Sequence, residues 1–258
     1  MVRVRSFGLC IAAVFALGAV LAASASAELP EYRVCAKASP KNTGEYTSKT
    51  CATKVGTPKS GAYEVEEWTA AKKKTFKAKG GGAKFTSYIK GMGIVGSVGC
   101  KSTKASGEIT GSSTSSLKLE LAGCMSEGGT CTTKGDKKKG QIIFGPLEGS
   151  LGFIQHEPLR IGIAYHVTIP ASLTCEGREV TVDGSMIGEI TGDVNEASGT
   201  QTLTFAVNSG GEQEVTSFEG EAEEHVLISE LAGVGRFPTG FVASLYSHRV
   251  NSWPSSDP

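Results

Sequence analysis

Beyond residue 27 the sequence holds no uninterrupted apolar run long enough to cross a bilayer as a helix, which argues against a helical membrane span in that part of the chain. It also has no Cys-x-x-Cys pair, no His-Glu-x-x-His helix, no Gly-x-Ser-x-Gly elbow, no P-loop and no dinucleotide fingerprint. Zinc modules, zincins, α/β-hydrolases and nucleotide-dependent enzymes therefore lack the residues that carry their chemistry. Histidine is scarce: His156, His166, His225 and His248 stand alone on expected strands or loops, where a solvated or hydrogen-bonded role is the ordinary one. Nothing in the pattern calls for a cofactor or a metal.

The amino terminus, by contrast, is informative. Arg3 and Arg5 precede an uncharged apolar stretch from Phe7 through Ala23, and Ala25 and Ala27 form a small-x-small exit. This pattern predicts a secretory signal peptide over residues 1–27, with cleavage after Ala27, and an exported chain of residues 28–258 that works outside the cell or on its envelope. Cys10 would leave with the signal.

Six cysteines remain, Cys35, Cys51, Cys100, Cys124, Cys131 and Cys175, an even number in a compartment where disulfides persist. Spacing suggests Cys35 with Cys51 and Cys124 with Cys131, each closing a polar loop, which leaves Cys100 to pair with Cys175.

Helical periodicity is nearly absent. Short runs rich in Val, Ile, Thr, Phe and Tyr, separated by Gly, Ser and Asn, predict strands throughout residues 28–258. Leu117, Leu119 and Leu121 alternate with Lys118 and Glu120, and Tyr63 and Val65 alternate with polar neighbours, as half-buried strands do. Residues 142–144, 161–169, 180–190, 202–207 and 226–231 continue the series, and Asn208 to Gly211 reads as a tight turn. Residues 66–79 form the best helix candidate, ending at Gly80, Gly81 and Gly82. The segment Gly-Glu-Ile-Thr-Gly occurs twice, at 107–111 and 188–192. The expected architecture is a single all-β domain, an antiparallel sandwich or an irregular barrel stapled by disulfides.

Several of these segments together resemble a group of uncharacterised secreted six-cysteine proteins of soil actinobacteria. The resemblance rests on Tyr46-Thr47 before Cys51, on Tyr63 to Trp68, on Cys100 followed by the first Gly-Glu-Ile-Thr-Gly, on Gly123-Cys124 and Cys131, and on Pro146-Leu-Glu-Gly. Cys175 with the Val180 to Gly188 run and Phe218-Glu-Gly-Glu complete it. It implies export, a cysteine framework and a β-rich fold, and it assigns no catalytic residue.

Charge is balanced only by cancellation: residues 28–140 hold 20 Lys and Arg against 10 Asp and Glu, and residues 141–258 hold 4 against 16. The basic half contains a tract of Lys72, Lys73, Lys74, Lys77, Lys79 and Lys84 interleaved with Trp68, Phe76 and Phe85. Such a mixture suits a polyanion, and export points to an anionic cell-envelope polymer rather than nucleic acid, with Lys72, Lys73, Lys74, Lys77 and Trp68 as the candidate binding residues. In the acidic half, Glu219, Glu221 and Glu223 would share one strand face, with Glu212, Glu214 and Glu224 nearby. Paired carboxylates are what glycoside hydrolysis needs, although a row of like charges more often protects a sheet edge. Asp193-Val-Asn195 opens like a calcium loop but lacks its later ligands. Ser87 to Lys90 and Ser115 to Lys118 match Ser-x-x-Lys, yet that nucleophile requires a helix and Lys118 falls on the clearest strand. The sequence thus favours a secreted, non-enzymatic binding or structural protein, with an extracellular glycan hydrolase as the alternative.

Overall fold

The structure is a computed structural model that describes residues 29–49, 51, 53–69, 74–192, 200–248 and 252–255. The expected signal peptide, Lys72, Lys73 and the Asp193 to Glu196 segment lie outside the described residues. All regular elements among the described residues are strands, and every pairing between them is antiparallel.

Following the strand pairs around the molecule gives two closed rings. The first barrel runs β3 (Lys74–Gly80), β6 (Ser102–Ile109), β7 (Thr114–Ala122), β10 (Gln141–Gln155), β11 (Arg160–Val167), β13 (Arg178–Gly192), β14 (Thr200–Phe205), β16 (Gly235–His248) and back to β3. The second runs β4 (Ala83–Ile89), β5 (Gly93–Cys100), β8 (Met125–Ser126), β9 (Gly129–Thr133), β12 (Ala171–Cys175), β13, β15 (Leu227–Leu231), β16 and back to β4. Two long strands belong to both. β13 pairs in the second ring through Gly184 and in the first from Ser185 onward. β16 pairs with β4 and β15 up to Val242 and with β14 from Ala243. Closure leaves neither ring with an open edge. The expected all-β, antiparallel, disulfide-stapled fold is therefore present, as a barrel rather than a sandwich.

Each ring joins an arc of basic-half strands (β3, β6 and β7 in the first, β4, β5, β8 and β9 in the second) to an arc of acidic-half strands, and Lys134 of one half meets Glu179 of the other at 2.7 Å. Their opposite charges thus sit on one continuous fold.

Period-two patterning explains the ring interiors. On β7, Leu117, Leu119 and Leu121 are fully buried while Lys118 is exposed. Phe144, Leu147, Tyr165, Met186, Phe205 and Leu245 join them to fill the first barrel. The repeated Gly-Glu-Ile-Thr-Gly segments end β6 and β13 with the same inward order. A Cβ on Gly107 would overlap Phe76, and one on Gly188 would crowd Leu203 and Phe205. Ile109 and Ile190 then line the same small void of about 80 Å³.

A three-stranded sheet of β1 (Glu31–Lys37), β2 (Tyr63–Glu67) and β17 (Ser252–Ser255) caps the first barrel. Tyr32 reaches the void, and its backbone amide donates to Ser112 O at 2.6 Å in the turn before β7. Burial is the main reason the Tyr32 hydroxyl is pushed up to about 12, so it stays neutral at ordinary pH.

Three sequence expectations are corrected here. The described part of residues 66–79 holds no helix: Glu67 ends β2 and Lys74 begins β3, where Phe76 and Ala78 turn inward and Lys77 outward. Cys100 pairs with Cys124 and Cys131 with Cys175, instead of Cys100 with Cys175 and Cys124 with Cys131, while Cys35 with Cys51 stands as expected. Strand pairing brings Cys131 beside both Cys124 and Cys175, its direct partner across β9 and β12, and the second of these proximities is one that sequence distance does not reveal. Glu219, Glu221 and Glu223 share no strand face, because residues 214–226 form a strap without a ladder on the outside of the first barrel.

Candidate ligand-binding cup

An eight-stranded ring is just wide enough either to be filled by its own side chains or to hold one small molecule. Side-chain size decides which, and the two barrels differ. The inward positions of the second barrel include Ser87 on β4, Gly96 on β5, Ser126 on β8, Ser229 on β15 and Thr239 on β16, where the first barrel places Leu, Ile, Phe and Tyr. The result is a cavity of about 570 Å³, lined from seven of the eight strands of its ring.

Aromatic packing makes its floor. The Phe85 ring lies 4.7 Å from Phe241 and 5.5 Å from Phe144, and Phe241 lies 5.3 Å from Phe205. These rings separate the cup from the filled barrel below. The walls are apolar, formed by Val98, Leu173, Val180, Val182, Leu231 and Phe237. Hairpin turns surround the mouth, which carries Val95 and Val234 together with the charged residues Glu127, Glu176 and Arg178. Glu176 folds over Gly128 and Gly129, where a Cβ would overlap its side chain, so glycine at both positions gives this acidic lip its shape.

A cluster of three hydroxyls interrupts the wall, which Ser97 and Ser126 also line. Ser87 Oγ is 2.7 Å from Ser229 Oγ and 3.3 Å from Thr239 Oγ1, and Thr239 Oγ1 donates to Ser229 Oγ at 2.8 Å. The register explains the cluster: Thr239 faces Ser87 across β16 and β4, two residues from the Phe241 and Phe85 pair of the floor. The three hydroxyls thus sit low in the cup.

The residues singled out in the sequence are elsewhere. Trp68 is only 7% exposed and packs in the core, so it does not stand beside the lysines as a stacking surface. Lys74 is half-buried at the start of β3, and Lys77 points outward. Lys77 does have basic company on the outer face: Lys79 is the register partner of Lys104, and Ser106 lies between Lys77 and Lys118. Tyr246, opposite Lys79, is 49% exposed on that face.

The histidines and glutamates meet on the strap. His225 Nδ1 is 3.1 Å from Ser185 Oγ, and its Nε2 is 3.3 Å from Glu221 Oε2. These are the residue types of a serine hydrolase, but catalysis also requires room for a reacting carbonyl beside the nucleophile. Ser185 is buried on the outer face of β13, its amide donates to Val226 O of the strap, and neither cavity described above is lined by it. The chain of contacts works as a clasp. His166 packs edge-on to His225 with ring centroids 5.2 Å apart, and Phe218 occupies the space left by Gly152.

A second clasp joins Glu219 to His156, whose backbone amide and Nδ1 both lie 2.7 Å from Glu219 Oε2. The His156 side chain is the main reason the Glu219 carboxyl is held below the usual carboxylate range, and the amide adds to it. A carboxyl with a depressed folded-state pKa contributes stability above its unfolded value and loses it as pH falls through the folded one. The thermal midpoint should therefore fall on acidification through and below the carboxylate range. Glu219→Gln should show a shallower fall, read as Tm against pH; parallel curves for the two proteins would remove this clasp from the account.

Among the described residues no group of three or more His, Cys, Asp or Glu side chains could hold a metal ion, and no helix is long and apolar enough to cross a membrane. Comparison of the chain with protein-family models, curated proteins and solved structures finds no match.

Proposed function

We propose that this protein is an exported, non-catalytic carrier or receptor for a small molecule, which it holds in the cup of the second barrel. The observation that carries this reading is the 570 Å³ cavity, within the roughly 300–1,000 Å³ of sites that enclose drug-sized ligands. Its lining supports binding rather than chemistry: largely apolar walls, neutral serine and threonine hydroxyls, and charge confined to the mouth. The signal pattern of residues 1–27 and the three disulfides support an extracellular or envelope-associated site of action.

The outer face with Lys77, Lys79, Lys104 and Lys118 beside Tyr246 supports a second, compatible role, attachment to an anionic envelope polymer. Exposed lysines act there through a field that salt screens within roughly 8–10 Å.

Gly96 supplies the test. A Cβ at this position meets nothing within 4 Å and the residue has no left-handed φ, so Gly96→Phe adds a ring to the cup without straining the fold. The neutral fluorophore N-phenyl-1-naphthylamine should bind the disulfide-bonded protein saturably at one site, with a blue-shifted emission. Gly96→Phe should abolish that binding and leave Tm within a few degrees of the parent. Unsaturable binding, or binding untouched by Gly96→Phe, would overturn the assignment.

A further inference from the structure

Resting on the cup as the binding site, we infer that its ligand is an uncharged, single-headed amphiphile, a long-chain molecule ending in a hydroxyl or carbonyl, which enters head first. Three observations converge on this class.

The first is the depth of the polar cluster. Thr239, 1% exposed, and Ser87, which lines the cavity, face each other two residues from the aromatic floor, and Ser229, 5% exposed, bonds to both. Phe237 stands level with Ser229, its register partner, and nearer the mouth on the same walls are Leu231 and Val234. A ligand that satisfies the hydroxyls must place its polar end at the bottom and its apolar body along this sleeve.

The second is the absence of compensating charge at that depth. The charged residues of the lining are Glu127, Glu176 and Arg178, all exposed and all at the turn end of the ring. Hydroxyls can donate to a carbonyl and exchange donor and acceptor roles with an alcohol. They cannot neutralise a carboxylate or an ammonium, and a buried ion without a partner charge is strongly disfavoured. A neutral head is the one that three hydroxyls solvate well.

The third is the lip. Val95 and Val234 are 49% and 62% exposed at the mouth, and Met92, at the tip of the β4–β5 hairpin, is 74% exposed. An apolar tail that outreaches the cup would meet these side chains instead of water. Single exposed apolar residues need no explanation, but these cluster at the end where the tail emerges.

Ten-carbon ligands that share one tail separate the alternatives. Displacement of N-phenyl-1-naphthylamine would be measured at pH 8 with 1-decanol, decanoate, decylammonium and decane. Decanol should bind at least about tenfold more tightly than decanoate and decylammonium, and more tightly than decane, whose only term is apolar burial. Ser87→Ala, which leaves the 2.8 Å contact of Ser229 and Thr239 in place, and Ser229→Ala should each bring decanol toward decane while decane itself is unaffected.

Tightest binding by decanoate, removed by Arg178→Gln, would place the head at the mouth and overturn the inference while the cup stood. Equal binding of all four would overturn it as well. If the fluorophore itself failed to bind saturably, the cup would fall with it.

Discussion

Phe241→Ala should lower the unfolding free energy by about 3–5 kcal/mol, the range for deleting a fully buried aromatic ring. Phe241 is completely buried and sits at the boundary of the two barrels, on β16 just before that strand passes from one ring to the other. Its ring touches Phe85 on one side and Phe205 on the other, so its loss removes contacts in both interiors at once. Each aromatic pair adds about 0.5–1.5 kcal/mol beyond the area it buries. The expected phenotype is double: a lower denaturation midpoint in urea with disulfides intact, and weaker fluorophore binding because the cup loses its floor. A loss below about 1 kcal/mol would mean that the two barrels do not share a packed boundary there.

The second large effect concerns the covalent frame. Removing the Cys131–Cys175 bridge by a double Ser substitution should cost about 4 kcal/mol, the chain-entropy value for a loop of this length. The bridge spans 44 residues, against 24 for Cys100–Cys124 and 16 for Cys35–Cys51, so it should be the most costly of the three to lose. It also fastens β9 to β12 where Cys175 lines the cup, which predicts weaker ligand binding along with lower stability. Peptide mapping of the unreduced protein reads the pairing directly. A peptide joining Cys124 to Cys131, whose backbones also meet beside the β8–β9 hairpin, would contradict the bridge assignment.

Local patterning carried much of the fold into the sequence. β7 is legible because leucine alternates with polar residues, and the turn at Asn208 because its side chain accepts from the amides of Gly210 and Glu212. β3 is harder to read, since lysine and alanine favour helices, although Phe76 and Ala78 alternate with Lys77 and Lys79. Ring closure was not legible, because it depends on which strand neighbours which, and β13 and β16 each serve two rings. The cysteine pairing failed for the same reason.

The cup was hidden differently. Its residues are small or hydroxylic, and Ser87, Gly96, Ser229 and Thr239 look like ordinary members of a serine- and glycine-rich chain until closure turns them all inward. The available signal was a set of strands whose inward positions lack bulk. The strap clasps, Ser185 with His225 and His156 with Glu219, join residues 40 and 63 apart, a convergence that residue types alone do not disclose.

Amide chemical-shift mapping of the ¹⁵N-labelled, disulfide-bonded protein, titrated with N-phenyl-1-naphthylamine, bears most directly on the central claim that the second barrel is an open, ligand-holding cup. Saturable shifts at Ser87, Gly96, Val182, Ser229 and Thr239, with Lys77, Lys104 and Lys118 unmoved, are the expected pattern. Shifts confined to the outer lysine face, or none that saturate, would contradict it.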